Sequence, residues 1–288
     1  MTRERTNQVR EQQIRSSGIL FELDDALTDF CTLVESKISF EGLDVLEVGC
    51  YLPKSFVLDV LKVNSWTSIE EPDSAVSLQH KRKKNRTIRS FSDYYLRDSK
   101  KYLQIIDRLA NFPTYLYEQF DLVFSTSTMQ HILHFGEVLF KMYRMLRTEG
   151  RLMAHIGPIW TSPHGHMLRP VVDNIGREVS MSKPIDLIPP WSHLIWSPPE
   201  FYVQMCKRMD RQTASEVVYQ IFNSKNINRL FLDDYVQYLN ASPFRGEKNS
   251  VRAQKSAMSI QLQQHLSVQF PRYRHFDVES FTLYLKRT

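Results

Sequence analysis

Two stretches of this chain gather histidine in a way that suits proton transfer. Residues 155–170 read HIGPIWTSPHGHMLRP and residues 189–196 read PPWSHLIW, which together carry His155, His164, His166 and His193. A neutral imidazole near pH 7 can take a proton from a hydroxyl while the oxygen attacks an electrophile. His166 is the first choice for such a base, with His164 and His193 as rivals. An H-x-H pair can also share a metal with an acid such as Asp186. Spacing fixes no third ligand, so no metal is expected. Trp160, Trp191, Trp196, Phe201 and Tyr202 lie in the same region. They can stack on a sugar or ring, or form the apolar underside of a lid.

Two short strings upstream, 70 residues apart, supply the rest of a site. Residues 43–50 read LDVLEVGC, an apolar run that ends on an acid and a glycine. Residues 120–127 read FDLVFSTS, an apolar run that ends in small hydroxyl residues. Each has the near-continuous apolar character of a parallel strand buried on both faces, with polar residues where its C-terminal end opens.

The elements that must position these residues alternate. Leu20, Leu23, Leu27, Phe30, Val34 and Ile38 recur every three or four positions, which predicts a helix over 11–38. The first strand follows, then a helix over 54–63 and a second strand ending in Glu70 and Glu71. A short third strand is expected at Thr87–Phe91 and helix over 94–118. After FDLVFSTS, Phe135, Leu139, Met142, Tyr143 and Leu146 mark a helix that Gly150 stops. RLMAHI is the fifth strand. Such alternation predicts a doubly wound Rossmann-like α/β sheet with ligands at the strand C-termini. The pattern breaks at residue 157. Eight of the 13 Pro lie between Pro158 and Pro199, with three of the four Trp. A stretch of this kind reads as a long ordered lid. Ser197–Glu200 and Thr213–Glu216 look like capping boxes, so 198–240 should be helical. FTLYLKR near the C-terminus suits an antiparallel strand at the sheet edge. The expected division is an N-terminal helical segment at 1–40, a cofactor-binding core at 41–156, a substrate cap at 157–255, and a closing helix and strand at 256–288.

These motifs together resemble the class I S-adenosylmethionine-dependent methyltransferases. Glu47 and Gly49 match the start of that family's E-x-G-x-G-x-G motif. The resemblance implies a cofactor loop of Gly49, Cys50 and Tyr51, and a ribose-binding acid at Glu70, with Glu71 as its rival. It places Asp93 beside the adenine, Ser125 and Thr126 facing the methionine end, and His131 after the fourth strand. The implied cofactor is S-adenosyl-L-methionine and the implied activity methyl transfer. Where the family pattern has two further glycines, this chain has Tyr51 and Pro53, so the turn must differ. The [DNS]-PP-[YFW] motif of amino-group methylation on bases is missing after FDLVFSTS, and no Cys follows a Pro, which counts against cytosine C5 chemistry. The expected reaction is O-methylation of a small molecule, sugar or glycan precursor.

Composition frames the alternatives. The 288 residues are 42% hydrophobic and 24% charged, which suits a self-sufficient core. Three Cys without metal spacing point to a reducing, cytoplasmic setting. The N-terminus has no apolar signal region, and no apolar run is long enough to span a membrane. The net charge of +5 comes largely from Lys81, Arg82, Lys83, Lys84 and Arg86. That run is either a solvated helix end or a footprint for RNA or another anionic partner, which would make the chain an RNA or protein methyltransferase. A third reading, supported by Tyr51 and Pro53, is a non-catalytic partner subunit with a degenerate cofactor loop.

Overall fold

The computed structural model describes residues 3–49, 52–70, 95–99, 101–107, 109–181 and 187–288, with the backbone alone at 3–7, 95–99, 110 and 247–250. Its centre is an eight-stranded sheet: β1 (Asp44–Val48), β2 (Ser65–Glu70), β3 (Tyr95–Ser99), β4 (Tyr102–Ile106), β5 (Phe120–Thr126), β6 (Leu146–Ile156), β9 (Arg245–Lys255) and β10 (Val278–Lys286). The spatial order is β3-β4-β2-β1-β5-β6-β10-β9. β4, β2, β1, β5 and β6 run parallel. β3 is antiparallel to β4, and β10 is antiparallel to both β6 and β9. This is the doubly wound, Rossmann-like α/β sheet expected from the alternation of strands and helices.

Side-chain alternation sorts each strand between two cores. Val45, Leu122, Phe124 and Met153 face a cluster completed by Trp66, Phe40 and the helices α1 (Arg3–Leu20) and α2 (Asp25–Lys37). Leu46, Val48, Val123 and Leu152 face the opposite side. There Phe135, Val138, Leu139 and Met142 of α3 (Phe135–Met145) cover them. Burying each such side chain contributes about 1.5–3 kcal/mol. At the bottom of the sheet Arg147 bonds Asp44 at 2.9 Å and Asp121 at 2.8 Å, which pins β1 against β5. The three groups are partly exposed, so each pair is worth about 0.2–1 kcal/mol and serves register more than stability.

A third core belongs to the cap. Residues 157–181 form turns and a small hairpin of β7 (Val171–Val172) and β8 (Glu178–Val179). The helices α4 (Ser192–Ile195), α5 (Pro198–Met205), α6 (Arg211–Val218) and α7 (Leu232–Ala241) follow. Trp160, Trp191, Phe201, Val217 and Phe231 pack together there, with Trp196 and Tyr202 alongside. The aromatic residues of the Pro-rich stretch are therefore the interior of the cap.

Several expectations need correction. The helix predicted over 11–38 is two helices, because Asp24 turns outward and caps α2 by accepting the Leu27 N–H at 2.7 Å. The stretch 94–118 holds β4 in place of a helix, and Thr87–Phe91 lies outside the described residues. Helix α3 ends at Met145, and Gly150 sits within β6. The Ser197–Glu200 capping box is present. The second box is not, because Asp210 caps α6 by accepting from the Gln212 and Thr213 N–H groups. β10 is one strand in from the edge, and the edge is β9, which the sequence reading assigns to the cap. Conversely α8 (Ile260–Gln269), assigned to the core, packs Leu262 and Leu266 into the cap cluster.

Candidate functional site

The parallel register brings the strand C-termini level. Val48 lies opposite Ile69 and Ser125, Glu70 opposite Ile106, and Thr126 opposite His155. Chain order runs outward through β2 and β4 on one side of β1, and through β5 and β6 on the other. The crevice between β1 and β5 is thus the topological switch point, where open α/β sheets bind ligands. Gly49, Glu70, Asp107, Ser125 and Thr126 stand along that edge.

Gly49 leaves β1 with φ of 104°, a conformation that only glycine adopts without strain, and its N–H donates to the Ile69 carbonyl at 2.9 Å. No Cβ stands where β1 ends at the crevice. Glu47 takes a supporting position. It is 1% exposed and faces the α2 side. Its carboxylate accepts the Leu52 N–H at 3.2 Å and the Trp66 indole N–H at 3.0 Å. It therefore fastens the backbone at Leu52 to the core. Cys31 lies in the same core, where burial and then the nearby Glu47 charge push its thiol pKa up, so it stays neutral. Ser125 is fully buried, and its hydroxyl donates to the Val48 carbonyl at 2.9 Å across the switch point. Thr126 ends β5 beside it and is buried as well.

Glu70 ends β2 and is 3% exposed, and its carbonyl accepts the Asp107 N–H at 3.1 Å. It stands 21 positions after Gly49, close to the spacing at which dinucleotide folds place the acid that binds a ribose diol. Asp107 is a residue that the sequence reading passed over. The third parallel strand is β4, so the acid that follows it is Asp107, not Asp93. The signal was present in KYLQIID, an apolar run closed by an acid like LDVLE. Cys50, Tyr51, Glu71 and Asp93 lie outside the described residues, as does the basic run 81–86 on which an RNA or protein acceptor rests.

After β5 the chain makes a short turn at Met129–His131 under the cap. Gln130 is 1% exposed and donates to the Gly157 carbonyl at 3.0 Å. His131 Nδ1 bonds the backbone carbonyl of Asn226. A carbonyl only accepts, so Nδ1 carries the proton and Nε2 keeps its lone pair in the neutral ring. Burial depresses the His131 pKa and the Arg169 charge adds to that, while the Asn226 carbonyl opposes it. His131 is thus a neutral, oriented imidazole near pH 7, the state that a general base requires.

The cap histidines are arranged otherwise. His166 is 1% and His193 is 3% exposed, with ring centroids 5.5 Å apart and His164 6.0 Å from His166. His193 Nε2 donates to the Trp160 carbonyl at 2.8 Å, and His166 Nδ1 accepts the Leu168 N–H at 3.2 Å. That leaves a lone pair on His193 Nδ1 and a proton on His166 Nε2, and both atoms are buried without a partner. The protonated Nε2 cannot ligate a metal while Leu168 holds Nδ1, and no group of three metal-binding side chains occurs among the described residues. Burial pushes the His193 pKa down to about 4 and that of His166 well below its ordinary value. Only His164 of the three is half-buried. The structure thus gathers the three rings into the cap interior, and it brings Gly49, Glu70, Ser125 and Thr126 together at the sheet edge.

No protein-family model matches this chain, and no curated protein sequence matches it. Solved structures do resemble it in shape. An S-adenosylmethionine-dependent methyltransferase from Mesorhizobium loti aligns over 88% of this chain and 96% of its own, at 11% identity and a TM-score of 0.46. A Bacillus halodurans protein described as a methyltransferase aligns over 90% and 99%, at 10% identity and a TM-score of 0.45. Phosphoethanolamine N-methyltransferase 2 of Haemonchus contortus aligns over 91% of this chain and 53% of its own, at 9% identity and a TM-score of 0.44. At these values the likeness extends to no residue of the site. Among the described residues no helix is long and apolar enough to cross a membrane.

Proposed function

We propose that this chain is a class I S-adenosylmethionine-dependent methyltransferase that acts on a hydroxyl of a small molecule, sugar or glycan precursor. The observation that carries the reading is the switch point, where a glycine at φ of 104° ends β1 and a carboxylate ends the neighbouring β2. That pairing suits a nucleoside: the glycine lets the ligand approach the backbone, and the carboxylate can accept both protons of a ribose diol.

The residues present fit the cofactor at its ribose more plainly than at its amino-acid end. The Leu52 N–H is committed to Glu47, and Pro53 has none to give, so neither serves a cofactor carboxylate. Gly49 and Glu70 would hold the cofactor, with Asp107 beside the third strand as the further polar contact. When bound, S-adenosylmethionine supplies a methyl group on a cationic sulfur. Glu70 orients the nucleoside, Glu47 keeps the loop closed, and Ser125 fixes the spacing of β1 and β5. His131, held by Asn226 of the cap, takes the acceptor proton at Nε2. The cap excludes water, and positioning supplies most of the remaining acceleration. The free thiols of Cys31 and Cys206 suit a reducing cytoplasm.

Calorimetric titration with S-adenosylmethionine and S-adenosylhomocysteine tests the reading. Saturable binding of both at one site supports it. Lack of binding to either would favour a non-catalytic subunit with a degenerate loop.

A further inference from the structure

A second cleft, of about 400 Å³, opens on the α2 face of the sheet beyond β6, where the helices stop and β10 and β9 continue. Its floor is a row across three strands. His155 of β6 lies opposite Thr282 of β10, and Thr282 lies opposite Arg252 of β9. Side chains so placed are about 4.5–5.5 Å apart at Cβ and converge on one face. A second row, two residues along, pairs Ser280 with Gln254. Leu33 of α2 forms the apolar wall.

The chemistry of this lining is one-sided. The Ser280 hydroxyl donates to Gln254 Oε1 at 3.4 Å, so the Gln254 amide N–H groups remain for a ligand. His155 Nδ1 lies 3.4 Å from the Thr282 hydroxyl. Burial alone lowers the His155 pKa, so the ring meets a ligand in its neutral state near pH 7. Among the described residues no carboxylate lines the cleft and Arg252 has no acidic partner. A guanidinium, an imidazole, a hydroxyl and an amide thus surround a space of small-ligand size, with no compensating negative charge among the described residues. A guanidinium fork matches an oxyanion in geometry as well as charge.

We propose that this cleft binds a small oxyanion, the phosphate or carboxylate end of a small molecule, through Arg252 and the His155–Thr282 pair. Position gives it a use. His155 is in register with Thr126 at the end of β5, and its carbonyl accepts the Ser127 N–H at 3.0 Å. The cleft therefore adjoins the strand that borders the switch point, and in the methyl-transfer reading it would anchor an anionic end of the acceptor.

The test needs no cofactor. Inorganic phosphate and, separately, acetate are titrated into the full chain at low ionic strength, while the His155 ring resonance is followed by NMR. A saturable shift with either probe is expected, and the stronger of the two names the source. Arg252→Gln should weaken it tenfold or more, while Arg252→Lys keeps part of it. Arg252 lies exposed on an edge strand, so these variants should keep their melting temperature. Arg274→Gln, on a remote exposed loop, should change nothing. The absence of a saturable shift at His155 would overturn the proposal, and so would an equal loss in Arg274→Gln. Because cofactor titration is read separately, a chain that binds phosphate here but no S-adenosylmethionine would retain this site and lose the methyltransferase reading.

Discussion

The His131 ring donates from Nδ1 to the carbonyl of Asn226, 95 residues further along the chain. This bond ties the turn after β5 to the cap and sets the tautomer of His131 within that turn. If His131 is the base, its NMR titration should give a midpoint below the ordinary value of about 6.5. Turnover should fall as pH drops through that midpoint, because protonation removes the Nε2 lone pair. His131→Asn should slow turnover by about 10²–10⁴-fold and leave S-adenosylhomocysteine affinity nearly unchanged. Full activity in this variant, with loss in His164→Ala or His166→Ala, would return the base to the cap.

Glu47 predicts a coupled loss. Glu47→Ala strands the Leu52 N–H and the Trp66 indole in a dry core, and each unmatched donor costs about 1–3 kcal/mol. Thermal melting should show that destabilisation, and cofactor affinity should fall with it as the loop loosens. A variant as stable as the parent would mean that the loop is held by other contacts.

The cap histidines predict a pH-dependent stability. The folded-state pKa of His193 is about 4, below the unfolded value of about 6.5, so the unfolded chain binds the extra proton in between. Stability is complete above pH 6.5 and declines as pH falls toward 4, by about 3 kcal/mol from His193 alone. His166 shifts in the same direction and adds to it. Denaturant melts at pH 7 and pH 4.5 should differ less in His193→Phe than in the parent. Equal differences would contradict the buried neutral state.

The parallel strands were legible where burial on both faces leaves an unbroken apolar run, as in LDVLEV and FDLVF. β4 was hidden because KYLQII is short and sits among polar residues. β9, with Arg245, Lys248, Arg252 and Lys255, shows no apolar period, since an edge strand takes its conformation from its neighbour and its charges from solvent. The merged N-terminal helix hid a turn whose only sign was Asp24, a capping residue inside an apolar period. The cap histidines were read as candidate bases on a lid, because residue type does not report that His166 and His193 are buried within the cap. The Glu47–Gly49–Glu70 spacing was readable from sequence, whereas His131's tautomer and Glu47's ties depend on contacts from distant segments.

The central claim is that Glu70 holds the ribose of a nucleoside cofactor at the β1–β5 switch point. Calorimetry of S-adenosylhomocysteine binding to the parent, Glu70→Ala and Glu71→Ala tests it most directly. Loss of a charged hydrogen-bonding partner costs about 1.5–3 kcal/mol, so Glu70→Ala should bind roughly tenfold more weakly or worse, while Glu71→Ala binds like the parent. Parent-like affinity in Glu70→Ala would contradict the account.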